Sequence, residues 1–208
     1  MNTILSVLSI LIAYLLGSIP FAYITGKLTG LDVRRVGDKN VGTFNVFRHA
    51  GWGAGIATLV ADVGKGSLAI VVAKLFSMPE LVVFGAGVAA VIGHNWPVFL
   101  RFRGGRGLAV VIGVLLALLP IEMLISAAIA LVVLYITRNT IWFGVAMFIP
   151  LILLSILFKE RLSLIIYSAA LPCLAGLAHL WTTHHLSTEE KKEAVSFWVA
   201  RKASHGKK

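Results

Sequence analysis

Long apolar runs, separated by short polar segments, make up most of this chain. Most of the runs approach the roughly 20 residues that a helix needs to cross a bilayer. The pattern therefore predicts an all-α integral membrane protein. Its membrane domain, 1–186, should contain seven transmembrane helices near 3–25, 51–76, 80–99, 107–120, 122–137, 140–158 and 162–182.

The fourth and fifth runs are short and meet at Pro120 and Glu122, so one long kinked helix is an alternative. Basic residues decide between the two interpretations. With seven spans, Arg138 and the Lys/Arg residues after Leu186 share a side with the basic residues of the first and third connections. Cytoplasmic loops carry the excess of Lys and Arg. We therefore predict seven spans, an external N-terminus, a cytoplasmic C-terminus and cytoplasmic motif loops.

Composition agrees with a membrane protein, because 58% of the residues are hydrophobic and only 13% are charged. A net charge of +10 would also suit a nucleic-acid-binding protein. Here the basic residues lie between spans and in the tail, where they face anionic lipid. We expect membrane lipids and no nucleic acid as partners. The single cysteine, Cys173, excludes a disulfide framework and a CxxC metal pair, and no metal site or cofactor is predicted.

The segment 187–208 is predicted to be a cytoplasmic basic tail. It opens with a capping-box pattern from Ser187 to Glu190. Val195, Trp198 and Val199 follow at helical spacing. An amphipathic helix on the cytoplasmic leaflet is expected there, as an anchor outside the functional site.

The polar segment 101–107, RFRGGRG, combines three arginines with three glycines just before an apolar helix. Gly104, Gly105 and Gly107 permit a close approach of a ligand to the backbone. Arg106, the amides of a helix N-terminus and its positive dipole end together suit a phosphate. Arg103 is a further candidate ligand. A flexible basic turn is the alternative interpretation.

The longer polar segment 26–53 carries the second candidate anion site. Asp38, Lys39, Asn40 and Gly42 form a stretch whose backbone amides can face an anion. Arg48 adds a guanidinium fork. The alternative is an ordinary connector with turn glycines. Because both polar segments follow odd-numbered spans, they should face each other on the cytoplasmic side.

Three polar residues within the predicted spans extend this list. Asp62 and Lys65 are three residues apart and can pair on one helical face, either as part of a site or to fix packing. His94 lies at the inner end of the third span, as a candidate base or as a hydrogen-bonded packing residue.

The sequence offers no hydrolase nucleophile, since it contains no GxSxG, HExxH or paired-carboxylate motif. No histidine is followed five positions on by aspartate, the spacing of the common glycerolipid acyltransferases. The remaining candidate groups for a site are arginines, lysines and backbone amides at glycines, and these groups suit substrates that carry phosphate.

Five stretches in the first 110 residues resemble the PlsY family, the bacterial membrane glycerol-3-phosphate acyltransferases. They read AYLLGSIPFAYITGKLTGLDVRRVG, NVGTFNVFRHAG, DVGKG, GHNWPVF and RFRGGRG. The resemblance implies a seven-helix bundle in the bacterial inner membrane. It also implies a reaction without a cofactor, in which a fatty acyl group moves from acyl phosphate to the sn-1 hydroxyl of glycerol 3-phosphate. The products are lysophosphatidic acid and inorganic phosphate.

The resemblance also assigns roles, each as an expectation. Glycerol 3-phosphate would be held by Asn40, Gly42, Asn45 and Arg48. The phosphoryl group of acyl phosphate would be held by Gly104, Gly105, Arg106 and Gly107. Together with His94, the candidate base noted above from its position alone, Arg48 and Arg106 are the expected catalytic residues. The resemblance itself suggests the substrate's own phosphate as the base.

The chain also departs from the family pattern. Asp38 stands at a family serine, and this carboxylate would repel phosphate unless Lys39 neutralises it. Phe44 replaces a threonine, and Arg106 replaces a lysine. The family's Arg-His-x-x-Asn stretch after the last span is replaced by TTHHLSTEEKKE, where His184 or His185 is a candidate substitute. A different donor or acceptor, or a non-catalytic lipid-binding subunit or transporter, is the alternative that these departures leave open.

Overall fold

The computed structural model describes residues 3–184 and 186–197, and this part of the chain is helical apart from its connections. Trp198 and Val199 of the predicted tail helix, and His185, lie outside the described residues. The helices are α1 Thr3–Ser18, α2 Phe21–Leu28, α3 Thr43–Ala50, α4 Trp52–Leu75, α5 Glu80–Asn95, α6 Leu108–Leu118, α7 Pro120–Thr137, α8 Thr140–Leu157, α9 Leu162–Thr183 and α10 Thr188–Val195.

The predicted all-α membrane class agrees with these helices. Among the described residues, six helical segments are long and apolar enough to cross a bilayer. The fourth predicted span forms the shorter apolar helix α6, of 11 residues. It ends at Leu118, and the following Leu119, with φ of −133° and ψ of 66°, breaks the helix before Pro120 opens α7. A proline at the first helical position is favourable because its missing N–H has no intrahelical partner there.

Two helix pairs, α4–α6 and α1–α5, pack closely against each other. In α4 and α6, Ser67 Oγ donates to the Gly113 carbonyl at 2.8 Å, and Lys74 Nζ donates to the Ala117 carbonyl at 2.9 Å. The residue numbers of these two contacts increase in the same direction along both helices, so α4 and α6 run parallel. In α1 and α5, Gly17 lies so close to the backbone of Ala90 that a Cβ would overlap it. The missing side chain allows this pair to pack at short distance.

One end of the bundle collects both polar segments, and we call it the motif end. Arg106, just before α6, contacts Asp38, just before α3. Thr140, at the start of α8, bonds to the Val195 carbonyl at the end of α10, with an oxygen separation of 3.3 Å. The helix starts α3, α6 and α8 therefore lie close to one another. The apolar core fills the bundle beyond them and includes the fully buried Ile70 and Leu115.

Candidate active site

A cavity of about 590 Å³ opens at the motif end. Its wall is mostly apolar, with side chains from α4, α6, α7 and α8. Its polar lining includes half of the site residues that the sequence singled out. Seven of the predicted site residues line it, namely Asn40, Gly42, Arg48, Asp62, His94, Arg106 and Gly107. The two polar segments thus meet at one cavity, as their shared side predicts.

Asp38 is the ionic centre of this meeting point. Its Oδ2 lies 2.8 Å from Arg106 Nη1 and 3.6 Å from Arg48 Nη2. The Asp38 side chain is fully buried, and those of Arg48 and Arg106 are 2% and 11% exposed. The aspartate therefore lies behind the cavity wall, where it stabilises two arginines that would otherwise repel each other.

Lys39 does not neutralise Asp38, which differs from the expectation. Its Nζ lies 2.8 Å from Glu190 Oε1 on α10, and its side chain is exposed. Lys39 adopts a left-handed backbone, with φ of 56°, and does not line the cavity. The neutralising charge for Asp38 comes instead from residues far away in sequence.

Asn45 supports the first polar segment from inside. Its Nδ2 donates to the backbone carbonyls of Val33, Val36 and Asn40 at 3.0, 3.2 and 2.9 Å. These bonds fold the segment 33–40 onto α3. The side chain is fully buried and does not line the cavity, so Asn45 positions the loop instead of facing it.

The Arg48 guanidinium donates hydrogen bonds to α3 and to the C-terminal segment. Its Nε donates to the Phe44 carbonyl at 3.1 Å. Its Nη1 donates to the Glu193 carbonyl and, at 3.2 Å, to the Ser196 carbonyl. Burial lowers the pKa of Arg48, and the nearby Asp38 and Glu193 carboxylates oppose that change. The guanidinium fork predicted to face a phosphate thus contacts the C-terminal segment.

The glycines of the second polar segment are used differently from the expectation. The amides of Gly104 and Gly105 donate to the carbonyls of Asn95 and His94 at 3.2 and 3.1 Å. A Cβ at either glycine would overlap His94 atoms. These two amides hold the loop against α5 and are not directed at the cavity. Arg103, the other candidate in this segment, is exposed and lies outside the cavity wall.

Gly107 completes the loop. Its φ of 81° turns the chain into α6, and the first intrahelical bond runs from the Val111 amide to the Gly107 carbonyl. The preceding amides of the first turn, at 108–110, have no partner within the helix. Together with Arg106, they form the positive N-terminus that the sequence predicts.

Asp62, Lys65 and His94 form a second buried polar cluster. Lys65 Nζ lies 2.8 Å from Asp62 Oδ1, as their spacing predicts, and 2.8 Å from the Ile19 carbonyl. His94 Nδ1 lies 3.7 Å from the same Asp62 oxygen. Asp62 and His94 face the cavity, whereas Lys65 fixes α4 to the end of α1.

His179 lines the cavity and was missed by the sequence reasoning. It is half-buried in the last turns of α9, within electrostatic reach of Arg106 and Asp38. A signal existed, because His179 precedes Thr182 by the spacing of the family's Arg-His-x-x-Asn stretch, with Ala178 and Thr182 as replacements. His184, the candidate substitute, bonds to the Trp181 carbonyl at 2.6 Å and is exposed.

The donor set of the cavity suits anion binding. Within residues 3–184 and 186–197, no group of three or more His, Cys, Asp or Glu side chains is arranged to hold a metal ion. The charged groups at the cavity are mainly cations, and backbone amides accompany them.

Known proteins place the chain in a family. The family model described as glycerol-3-phosphate acyltransferase matches residues 7–189. Glycerol-3-phosphate acyltransferase 4 of Dehalococcoides mccartyi is 44% identical over 173 residues, which cover 83% of this chain and 94% of the relative. A glycerol-3-phosphate acyltransferase of Thermus thermophilus is 39% identical over 148 residues, covering 69% of this chain and 74% of the relative.

Solved structures agree with the sequence relatives. The crystal structure of PlsY, an integral membrane glycerol 3-phosphate acyltransferase, in its glycerol 3-phosphate form superposes with a TM-score of 0.76. The identity is 32%, and the match covers 84% of this chain and 88% of PlsY. The lysophosphatidic acid form gives a TM-score of 0.74 at 29% identity, with coverage of 84% and 87%. The chain belongs to the glycerol-3-phosphate acyltransferase family, as a relative of the integral membrane protein PlsY.

Proposed function

We propose that this protein transfers a fatty acyl group from acyl phosphate to the sn-1 hydroxyl of glycerol 3-phosphate. The products are lysophosphatidic acid and inorganic phosphate, and the reaction serves phospholipid synthesis. The observation that carries the proposal is the cavity, which has arginines and helix amides at its polar end and an apolar wall elsewhere. This combination suits an amphiphile whose headgroup is a phosphate and whose tail is an acyl chain.

The proposed chemistry needs no nucleophile from the protein. The glycerol 3-phosphate hydroxyl oxygen attacks the acyl carbonyl carbon, and the bond between that carbon and the phosphate oxygen breaks. The hydroxyl proton passes to a phosphate oxygen of the substrate. The protein contributes orientation and charge stabilisation, which are effective when the groups are fixed before the reaction.

Arg106 is proposed as the main catalytic contact to the departing phosphate. Its side chain lines the cavity at the start of α6, where the first-turn amides and Gly107 add further positive potential. A guanidinium can hold two phosphate oxygens at once. His179 lines the same cavity and is proposed as a further contact to the departing phosphate.

The acceptor side is proposed to involve the first polar segment. Asn40, Gly42 and Arg48 line the cavity and are the candidates to hold glycerol 3-phosphate. Crystal structures of the related PlsY exist in glycerol 3-phosphate and lysophosphatidic acid forms, which supports the same substrate and product here. Asp62 and His94, which face the cavity from α4 and α5, are proposed to bind and orient the hydroxyl end of the acceptor.

A seven-span topology is proposed for the membrane domain, with an external N-terminus and the motif end in the cytoplasm of a bacterial cell. Helix α6 is only about 16 Å long at 1.5 Å per residue, against a hydrocarbon core of roughly 30 Å. The end of the loop before it packs against α5, where the Gly104 and Gly105 amides donate to α5 carbonyls. A membrane tolerates irregular backbone when protein satisfies its polar groups, so α6 can begin inside the bilayer depth.

The direct test uses the purified protein with palmitoyl phosphate and glycerol 3-phosphate. We expect phosphate release that requires glycerol 3-phosphate, with lysophosphatidic acid formed in equal amount. Phosphate release without glycerol 3-phosphate would indicate simple hydrolysis. Transfer from another activated acyl compound, but not from acyl phosphate, would overturn the proposed donor.

A further inference from the structure

The segment 187–197, which we call the strap, packs on the α3 side of the cavity. Its helix α10 begins with the predicted capping box, in which Ser187 and Glu190 bond to each other's backbone. Glu190 pairs with Lys39 at 2.8 Å, and His49 Nε2 lies 3.2 Å from Glu193 Oε1. Hydrogen bonds from Lys39 and Ser187 lower the pKa of Glu190 to about 2, so its carboxylate is ionised at neutral pH.

The end of the strap also contacts the opposite side of the cavity, at the turn between α7 and α8. Ser196 forms an antiparallel bridge with Asn139. The Phe197 amide donates to the Arg138 carbonyl at 3.0 Å. Thr140 Oγ1 donates to the Val195 carbonyl. The strap therefore joins α3 to the α7–α8 turn across the motif end.

Phe197 brings an aromatic ring to the cavity wall. Its ring centroid lies 5.7 Å from that of Phe44, in an edge-to-face arrangement, and 6.0 Å from those of Phe47 and Trp52. Such pairs contribute about 0.5–1.5 kcal/mol beyond the area they bury. The strap is consequently held at the cavity by apolar contacts as well as by hydrogen bonds.

Most of the strap lies outside the region that the family model matches, which is residues 7–189. The strap residues that touch Arg48 and Phe44 all lie beyond that point. The strap thus adds to the matched domain a covering element at the cavity.

The contacts of Arg48 suggest what the strap does. Its Nη1 is bonded to two strap carbonyls, and its other donors face Asp38 and Phe44. Two neutral carbonyl oxygens therefore occupy the part of the guanidinium that a phosphate would use. A hydrogen bond to an ionised phosphate is roughly twice as strong as one to a neutral acceptor. A phosphate that reaches Arg48 can displace the strap.

We propose that the strap is a gate. In the closed state, its carbonyls occupy Arg48 and it covers the cavity at the motif end; in the open state, it frees Arg48 for the phosphate of glycerol 3-phosphate. This inference rests on the proposed function and deepens it, since it describes a closed state of the site at which glycerol 3-phosphate is proposed to bind. The fraction of open protein then scales the apparent affinity for the acceptor.

A reversible crosslink tests the gate. Asn139 and Ser196 form the kind of antiparallel pair whose Cα atoms lie about 4.5 Å apart, within the range a disulfide bridges. The double variant Asn139→Cys/Ser196→Cys is made with Cys173→Ser, which removes the native thiol. We expect oxidation to reduce acyl transfer at least tenfold and dithiothreitol to restore it in the same sample.

Two controls separate the gate from other effects. The single variants Asn139→Cys and Ser196→Cys, each with Cys173→Ser, should not respond to oxidation. Asn139 caps α8 by accepting hydrogen bonds from the Ile141 and Trp142 amides, so its single variant also reports the loss of that cap. Binding of glycerol 3-phosphate, measured by calorimetry in both redox forms, gives a readout that does not depend on turnover. The oxidised double variant should bind at least tenfold more weakly than the reduced one.

The outcomes distinguish the two proposals. Equal binding and equal transfer in the oxidised and reduced forms would overturn the gate and leave the acyltransferase intact. An unmodified chain that neither binds glycerol 3-phosphate nor transfers an acyl group would overturn the proposed function itself. Tighter binding in the oxidised form would also contradict the gate, because it would make the strap part of the occupied site.

Discussion

Replacing Asp38 by alanine tests whether this carboxylate is the ionic centre of the site. The side chain is fully buried and lies within 3.6 Å of both Arg48 and Arg106. Its removal leaves two buried guanidinium groups without their shared counter-ion. Breaking a buried ion pair from one side costs about 3–5 kcal/mol. For a chain of this size, that cost lowers the melting temperature by roughly 6–20 °C.

Inorganic phosphate should reverse part of this loss, because an anion can take the place of the missing carboxylate. A ligand present at 100 times its dissociation constant adds about 2.7 kcal/mol of stability. Melting of the detergent-solubilised protein, followed by tryptophan fluorescence, gives the melting temperature of each variant with and without phosphate. The expected pattern is a low melting temperature in Asp38→Ala and a larger increase with phosphate than in the parent chain.

Glu80→Ala is the matched control, since it removes a carboxylate that pairs with the exposed Arg161 at 3.2 Å. Exposed pairs contribute about 0–1 kcal/mol, so this variant should melt close to the parent and respond to phosphate as the parent does. The reasoning is refuted if Asp38→Ala melts as the parent does, or if phosphate stabilises both proteins equally.

Three further variants probe the loop, the arginine and the strap. Gly105→Ala should reduce acyl transfer more than tenfold, because a Cβ there overlaps the histidine behind the loop, while Gly53→Ala meets open space and should remain active. Arg106→Ala should abolish transfer in a folded protein, and the exposed Arg103→Ala should not; equal rates would remove this loop from the site. Glu190→Gln weakens the strap's ion pair and should lower the KM for glycerol 3-phosphate up to about fivefold, the range of an exposed pair; an increased KM would contradict the gate.

The positions of the long apolar helices and the meeting of the two polar segments followed from the sequence, whereas α3 lies in a segment that was interpreted as a loop. Hydrophobic periodicity and length locate apolar helices well, because the bilayer imposes one dominant requirement on each span. The pair Asp62–Lys65 and the Ser187 capping box were also predicted correctly, since both depend on spacing within one helix. Interactions of this kind are set by local geometry.

The errors concern partners that are distant in sequence. Asp38 is paired with Arg106 and not with its neighbour Lys39, because the fold brings the start of α6 next to the segment before α3. Gly104 and Gly105 use their amides inside the protein, a choice that composition does not reveal.

His179 was missed because helix α9 extends to Thr183, and the relevant histidine lies within its last turns instead of after the span. The strap was expected to be an anchor on the membrane surface. Its contacts with Arg48 could not be anticipated, because they use backbone carbonyls, which every residue carries. Its position relative to the lipid surface remains a prediction.

The measurement that tests the central claim most directly is phosphate release by the purified protein, given palmitoyl phosphate with and without glycerol 3-phosphate. We predict release only when glycerol 3-phosphate is present, with one lysophosphatidic acid formed for each phosphate. No turnover, under conditions in which a related glycerol-3-phosphate acyltransferase is active, would contradict the proposed reaction and show that the arginine site binds an anion without transforming it.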